Sequence, residues 1–341
     1  MFQHVYSLLQ IRQRIPRLIP PVTLPSRKNP RLKFPSLGNK HTIHVPDEHV
    51  AVWEQTDPIT DDHKLAESVS VIASDLGRLI KESRESAIVS TKETLDDFVT
   101  NIDVDTEIII RNWLMRVRPR DIIIGEEKGG DPYAFDDTTW FIDPIDGTRN
   151  FINGSDAVAI HIGAIRHGNP VVSVVALPFR DLVFSNLKPP VTRGTPPSGS
   201  ILGTEFRTEG SSEHLTLNSI LHDSVSMLHR KQSIGCNILD LVVGDVTVFY
   251  KPRAKLWDII APLGLAYQLY PNRFRMTLTF ERNGNIVTSP LFGHGPEVTE
   301  YINQRHSINS RIGLVIAVPA TDSYFEPLII NKVNECMSLS C

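Results

Sequence analysis

The sequence predicts an α/β fold, and three observations carry that prediction. Apolar residues recur at helical spacing over residues 60–85, again from Ile108 to Val117, and again between Lys255 and Tyr270. Short β-branched runs lie between them, such as Ile122-Ile123-Ile124 and Val171 to Ala176, bounded by Gly, Asn and Pro. At 341 residues and 41% apolar content, the chain can bury one large core or two smaller ones.

Residues 1–46 stand apart from the rest. They contain no Asp or Glu, carry eight Arg and Lys residues from Arg12 to Lys40, and are broken by Pro16, Pro20, Pro21, Pro25, Pro30 and Pro35. An organelle transit peptide has this composition, and so does a flexible basic extension. We read the segment as an extension ahead of a single domain over 47–341, with an N-terminal part at about 60–185 and a C-terminal part at about 213–341. The matching location is cytoplasmic, with organelle import as the alternative. The net charge of −4 leaves no nucleic-acid footprint, and no apolar run reaches the roughly 20 residues of a membrane span. Cys236, Cys336 and Cys341 are too scattered for a disulfide framework or a zinc site.

The first helix is expected from Thr60 to Glu85, with Leu65, Val69, Ile72, Leu76, Leu79 and Ile80 inward and Thr60, Asp61 or Asp62 as cap. Lys64, Glu67, Ser70 and Arg78 form its expected solvated face. Asp103 precedes the second helical pattern, where an aspartate is usually an N-cap. Asp121 to Ile124 reads as a buried strand ending in Gly125-Glu126-Glu127, and two glutamates there are often only a solvated strand end. Val158 to Ile165 and Val171 to Ala176 read as a hairpin, with His161 and His167 as strand and turn residues. Residues 188–212 read as a loop. Ser233 opens a short helix that stops at Gly244, Val246 to Tyr250 is a strand, Lys255 starts a helix holding Asp258 in its first turn, and Arg311 to Pro319 is a last buried strand.

The most informative stretch is Trp140-Phe141-Ile142-Asp143-Pro144-Ile145-Asp146-Gly147-Thr148-Arg149-Asn150-Phe151. An apolar run ends in two aspartates at i and i+3, with Pro144 biasing Asp143 towards extended backbone and Gly147 permitting a tight turn. Such a strand end can gather two carboxylates and a carbonyl for a hard cation. Taken alone, it is equally an Asp-Pro/Asp-Gly surface turn.

The whole string resembles the signature Asp-Pro-x-Asp-Gly-Thr-x-Asn-Phe of the inositol monophosphatase family of metal-dependent phosphatases. Asp143, Pro144, Asp146, Gly147, Thr148, Asn150 and Phe151 match every fixed position. Gly125-Glu126-Glu127 resembles the family's Gly-Glu-Glu, and Trp257-Asp258-Ile259-Ile260-Ala261-Pro262 its second signature. Thr100 and Asp103 match the segment that opens its second helix.

The resemblance implies a layered αβαβα sandwich and a Mg²⁺-dependent phosphomonoesterase acting on a small phosphorylated polyol or related metabolite. It also implies roles. Glu126, Asp143 and the Ile145 carbonyl would hold one Mg²⁺; Asp143, Asp146 and Asp258 would hold a second, and Asp103 would help with a third. Glu126 and Thr148, backed by Asp103, would position and activate the attacking water. The substrate would lie against Ile145, Asp146, the Gly147 and Thr148 amides, Asp258 and Lys251. Five carboxylates gathered without cations would repel, by roughly 4 kcal/mol per pair about 4 Å apart at an effective dielectric of about 20. The absence of His and Cys beside them favours Mg²⁺ over zinc.

Lys251 lies seven residues before Asp258, where the inositol-specific branch carries an acid, and Lys255 adds a second cation. Both are either solvated loop residues or a sign that the substrate bears a second anionic group. That points to a 3′(2′),5′-bisphosphate nucleotidase or fructose-1,6-bisphosphatase-like activity as the alternative. A degenerate relative that binds metal or phosphate without catalysis also stays open, because residues 185–237 and the Tyr270-Pro271-Asn272 helix end depart from the family pattern. An EF-hand-like Ca²⁺ module is disfavoured by the missing loop spacing. The expected partner is a small phosphorylated metabolite, with a homodimer left open.

Overall fold

A computed structural model describes residues 31–32, 43–92, 97–188, 201–204, 227–229, 231–251, 254–282, 285–304, 314–320, 326–327 and 329–330. In chain order the strands are β1 (Arg31–Leu32), β2 (Ile43–His44), β3 (Val89–Thr91), β4 (Phe98–Thr100), β5 (Ile122–Gly125), β6 (Thr139–Asp146), β7 (Ala159–Arg166), β8 (Asn169–Leu177), β9 (Leu182–Ser185), β10 (Ile201–Thr204), β11 (Met227–His229), β12 (Val248–Lys251), β13 (Phe274–Arg282), β14 (Asn285–Pro290) and β15 (Leu314–Pro319). The helices are α1 (Val50–Trp53), α2 (Asp62–Ser83), α3 (Asn101–Val117), α4 (Thr148–Ile152), α5 (Ile234–Val243), α6 (Leu256–Leu269) and α7 (Pro296–Gln304).

Two mixed sheets carry the fold. The first runs β5-β6-β7-β8-β9, parallel only between β5 and β6. The second runs β11-β10-β12-β15-β13-β14. Helices α2 and α3 pack on one face of the first sheet, while α5 and α6 lie between the two sheets. Beyond the second sheet, Arg275 and Thr277 of β13 bond Glu326, so the short helical stretch that follows begins a fifth layer. The expected αβαβα order is therefore observed. Among the described residues no helix is long and apolar enough to cross a membrane.

Local chemistry explains the elements that position the site. Every residue of β6 is buried, as an apolar run covered on both faces requires. Asp61 caps α2 by accepting the Lys64 amide at 2.8 Å. Arg78, expected on the solvated face, instead pairs with the buried Asp75. At α3 the cap is Thr100 rather than Asp103. Asp103 is the third helical residue of a capping box, its carboxylate accepting the Thr100 amide at 2.9 Å. Helix α6 lies so close to β7 that a Cβ on Gly163 would stand 2.9 Å from the Ala261 nitrogen. That close approach brings the first turn of α6 over the end of β6.

The β13–β14 hairpin and α7 are additional to the expected elements. The loop expected at 188–212 and the divergent stretch to 237 fall largely outside the described residues. Those described there are Lys188, β10, β11 and 231–237. Of the expected extension 1–46, only Arg31–Leu32 and 43–46 are described, and Val45 is fully buried in the core. Just after it, Trp53 Nε1 donates to Asp75 at 2.7 Å and His49 Nδ1 stands 2.9 Å from the same carboxylate. β1 pairs antiparallel with β2, Arg31 opposite His44 and Leu32 opposite Ile43, so the described end of the expected extension is tied to the domain. Deleting residues 1–30, ahead of β1, is expected to leave activity unchanged, whereas Trp53→Ala should cost about 3–5 kcal/mol, the usual result of emptying a buried indole. Equilibrium denaturation and turnover of both variants check this.

Candidate active site

The parallel pairing of β5 with β6 sets the first contact. The Glu126 amide donates to Ile142 O at 3.0 Å, so the glutamate follows β5 directly beside Asp143 at the end of β6. Asp143 accepts the Ile145 amide at 3.1 Å, where β6 shifts register against β7 between Asp143 and Asp146. Gly147 then takes a left-handed conformation at φ 93°, hemmed in by the Ala157 and Gln232 carbonyls, and starts α4. Asn150 donates to Ala157 O, Lys231 O and Gln232 O, which ties this turn to the approach of α5.

Helix α4 presents Thr148 towards α3. The Thr148 hydroxyl is 3.0 Å from Asp103 Oδ1 and 3.2 Å from Ile145 O, two acceptors for one hydrogen. Asp103 is almost fully buried, and burial pushes its carboxyl up to about 6, against the hydrogen bonds from Thr100. Asp258 enters from the first turn of α6, its amide donating to Lys255 O.

Electrostatics join these groups. The Asp143 carboxyl is pushed well up, first by burial and then by the charges of Glu126, Asp146 and Asp258. Asp258 is likewise raised by burial and by Glu126 and Asp146, with Lys251 and Lys255 opposing. Asp146 goes the other way. Burial would raise it, but His161, the Ser233 hydroxyl and the Gly235 amide together hold it below the ordinary carboxylate range. Its oxygens accept Ser233 Oγ at 2.7 Å, Ile234 N at 3.0 Å and Gly235 N at 2.7 Å, all at the start of α5.

All five carboxylates singled out in the sequence are thus neighbours, with Thr148 and the Ile145 carbonyl among them. Lys251, at the end of β12, is close enough to act on Asp258. Three participants were not anticipated. Lys92 Nζ stands 2.8 Å from Glu126 and 2.6 Å from Glu127. Ser233 bonds Asp146, and His161, expected as a plain strand residue, places Nε2 3.3 Å from the same carboxylate. Burial and the Glu126 charge push Glu127 up to about 7, despite Lys92.

The expectation that no His accompanies the carboxylates is not met, since His161 lies 3.9 Å from Asp143 and 3.3 Å from Asp146. The remaining groups are oxygens, and their charges converge on a buried carboxyl. That is the chemistry of a divalent-cation site. As arranged, no three His, Cys, Asp or Glu side chains among the described residues close on one ion. Glu126 is engaged by Lys92 and Asp146 by the start of α5.

The model of the inositol monophosphatase family matches residues 61–266 of this chain. The inositol-1-monophosphatase SuhB of Mycobacterium tuberculosis is 32% identical over 194 residues, covering 51% of this chain and 67% of that protein. The fructose-1,6-bisphosphatase/inositol-1-monophosphatase of Aquifex aeolicus is 27% identical over 189 residues, 55% of this chain and 66% of the relative. A solved IMPase/NADP phosphatase complexed with Mg²⁺ and phosphate superposes with a TM-score of 0.58 at 17% identity, covering 79% of this chain and 95% of its own.

Proposed function

We propose that this chain, which belongs to the inositol monophosphatase family, is a Mg²⁺-dependent phosphomonoesterase acting on a small phosphorylated polyol or related metabolite. The observation that carries this reading is the convergence of Glu126, Asp143, Asp146 and Asp258 from the end of β5, from β6 and from the first turn of α6, with the Glu126 amide bonded to Ile142 O at 3.0 Å beside Asp143. Glu126, Asp143 and the Ile145 carbonyl would hold one Mg²⁺, and Asp143, Asp146 and Asp258 a second, with Asp103 available to a third. The solved IMPase/NADP phosphatase complexed with Mg²⁺ and phosphate supports metal dependence. Bound divalent metal supplies charge neutralisation of the phosphate oxygens and lowers the pKa of water.

The protein's own groups do the rest. Thr148 gives its hydrogen to Asp103, so its oxygen presents a lone pair that accepts a hydrogen bond from the attacking water. Asp103, held by the capping box, fixes that direction. Glu126 would orient the same water. The Gly147 and Thr148 amides at the start of α4 donate to phosphate oxygens. Attack is direct, with no phosphorylated side chain.

Phosphate release from inositol 1-phosphate, fructose 1,6-bisphosphate and 3′-phosphoadenosine 5′-phosphate, with Mg²⁺ and after chelation, tests the reading. Release in Mg²⁺ alone is expected. Equal release after chelation, or none from any ester, would contradict it.

A second reading, for a substrate with two anionic groups, is favoured by Lys251 and Lys255, whose charges reach Asp258. The dual activity named for the Aquifex relative supports it. Lys251→Ala is then expected to lower kcat/KM about fivefold for the bisphosphates, the roughly 1 kcal/mol of a partly exposed ion pair, and to leave inositol 1-phosphate within about twofold. Equal losses for all three esters would remove Lys251 from substrate selection.

A further inference from the structure

We propose that Glu107 and Arg111 are positioning residues that fasten the Glu126 loop to α3, so that this one helix sets Glu126 against Thr148. What the alignment serves rests on the phosphatase reading above; the fastening itself is a matter of geometry.

Asp103, Glu107 and Arg111 stand at i, i+4 and i+8, on one face of α3. The first turn receives Thr148, whose hydroxyl is 3.0 Å from Asp103. One turn on, the fully buried Glu107 accepts two amides of the loop that carries Glu126, from Glu127 at 2.6 Å and Lys128 at 3.0 Å. A further turn on, Arg111 Nε donates to Glu107 at 2.7 Å, Nη1 donates to Ile123 O at 3.1 Å and Nη2 to Gly129 O. Backbone before and after Glu126 is thus tied to the same helix face. Gly125 and Gly129 close the loop by exchanging hydrogen bonds of 2.9 and 3.0 Å. The fit leaves no slack, since a Cβ on Gly125 would collide with the Glu107 carboxylate.

A fully buried carboxylate paired with a guanidinium is a weak source of net stability compared with apolar packing. It is a strong source of orientation, because charge-assisted hydrogen bonds to backbone amides are short and directional. Two turns of α3 therefore hold Thr148 and Glu126 at a fixed separation, where a displacement of about 1 Å can cost on the order of 10²-fold in rate.

Glu107→Gln removes the charge and turns an N–H₂ towards one of the two amides. Hydrogen exchange at Glu127 and Lys128 is expected to quicken about tenfold, the loss of one charge-assisted bond, with α2 and β8 unchanged. Mn²⁺ affinity, titrated by electron paramagnetic resonance, should fall about tenfold. In turnover, kcat should fall at least about tenfold with KM within about twofold. Ile110→Val, on the core face of the same helix, supplies a comparable loss of stability and should move none of these. Arg111→Lys keeps a cation on Glu107 but cannot span both carbonyls; it should shift exchange and Mn²⁺ affinity the same way by less, and it decides the matter if Glu107→Gln fails to fold. Unchanged exchange and Mn²⁺ affinity in the folded variant, or equal changes in Ile110→Val, would overturn the proposal. The exchange and Mn²⁺ arms need no substrate, so an inactive wild type defeats the phosphatase reading while these arms still decide this one.

Discussion

Asp143→Asn is expected to abolish phosphate release while making the metal-free protein more stable; Asp146→Asn should abolish release while making it less stable. Both residues would ligate metal, so either change should cost about 10³-fold or more in kcat/KM, roughly 4 kcal/mol of transition-state stabilisation. Their environments differ in sign. Asp143 is buried against the charges of Glu126, Asp146 and Asp258, which push its carboxyl well up, so a neutral amide relieves repulsion. Asp146 is buried too, but Ser233, Ile234 and Gly235 all donate to it. An amide there faces at least one donor with another donor and should cost about 1–3 kcal/mol. Mg²⁺ should reverse the order for Asp143. A ligand at about 100 times its Kd adds roughly 2.7 kcal/mol to the protein that binds it and nothing to one that does not. Thermal unfolding with and without Mg²⁺ reads all of this, and a metal-free Asp143→Asn protein less stable than wild type would show that the repulsion is not there.

Thr148→Ala carries the second largest effect. Its hydroxyl touches both Asp103 and the Ile145 carbonyl, at 3.0 and 3.2 Å. Losing the lone pair that orients the water should lower kcat by about 10²–10³-fold, within the range of positioned proton-transfer groups, and leave KM within about twofold. Thr148→Ser should recover most of the loss. If instead KM rises with kcat intact, Thr148 binds ground-state phosphate and does not direct the water.

The parts of the fold that were legible in the sequence are those where local and tertiary demands agree. The period of α2 and its Asp61 cap gave a helix within two residues of Asp62–Ser83. The Asp-Pro-Ile-Asp-Gly-Thr stretch and Asp258 needed only their own neighbours to be recognised. Other features carry a local signal with two solutions. Asp103 looks like an N-cap, yet Thr100, three residues earlier, takes that place and leaves Asp103 facing Thr148. Strand β13, absent from the expected elements, alternates Phe274, Met276, Leu278 and Phe280 with Arg275, Thr277 and Thr279.

Glu107 and Lys92 were not legible at all. Glu107 and Arg111 look like any i,i+4 surface pair, and only the return of residues 125–129 across the helix makes them interior. Lys92 meets Glu126 and Glu127 from 34 and 35 residues away, with no local signal to mark it. Ser233 and His161 reach Asp146 by the same kind of distant encounter, 87 residues apart in the case of Ser233.

The central claim, that Glu126, Asp143, Asp146 and Asp258 form one divalent-cation site, is tested most directly by anomalous diffraction from crystals grown with Mn²⁺ and phosphate. The account predicts anomalous density enclosed by these four carboxylates, with Lys92 withdrawn from Glu126. Phosphate should lie over the Gly147 and Thr148 amides. Ordered crystals with no anomalous density among the four carboxylates, from protein that hydrolyses a phosphomonoester in the same Mn²⁺ buffer, would contradict it.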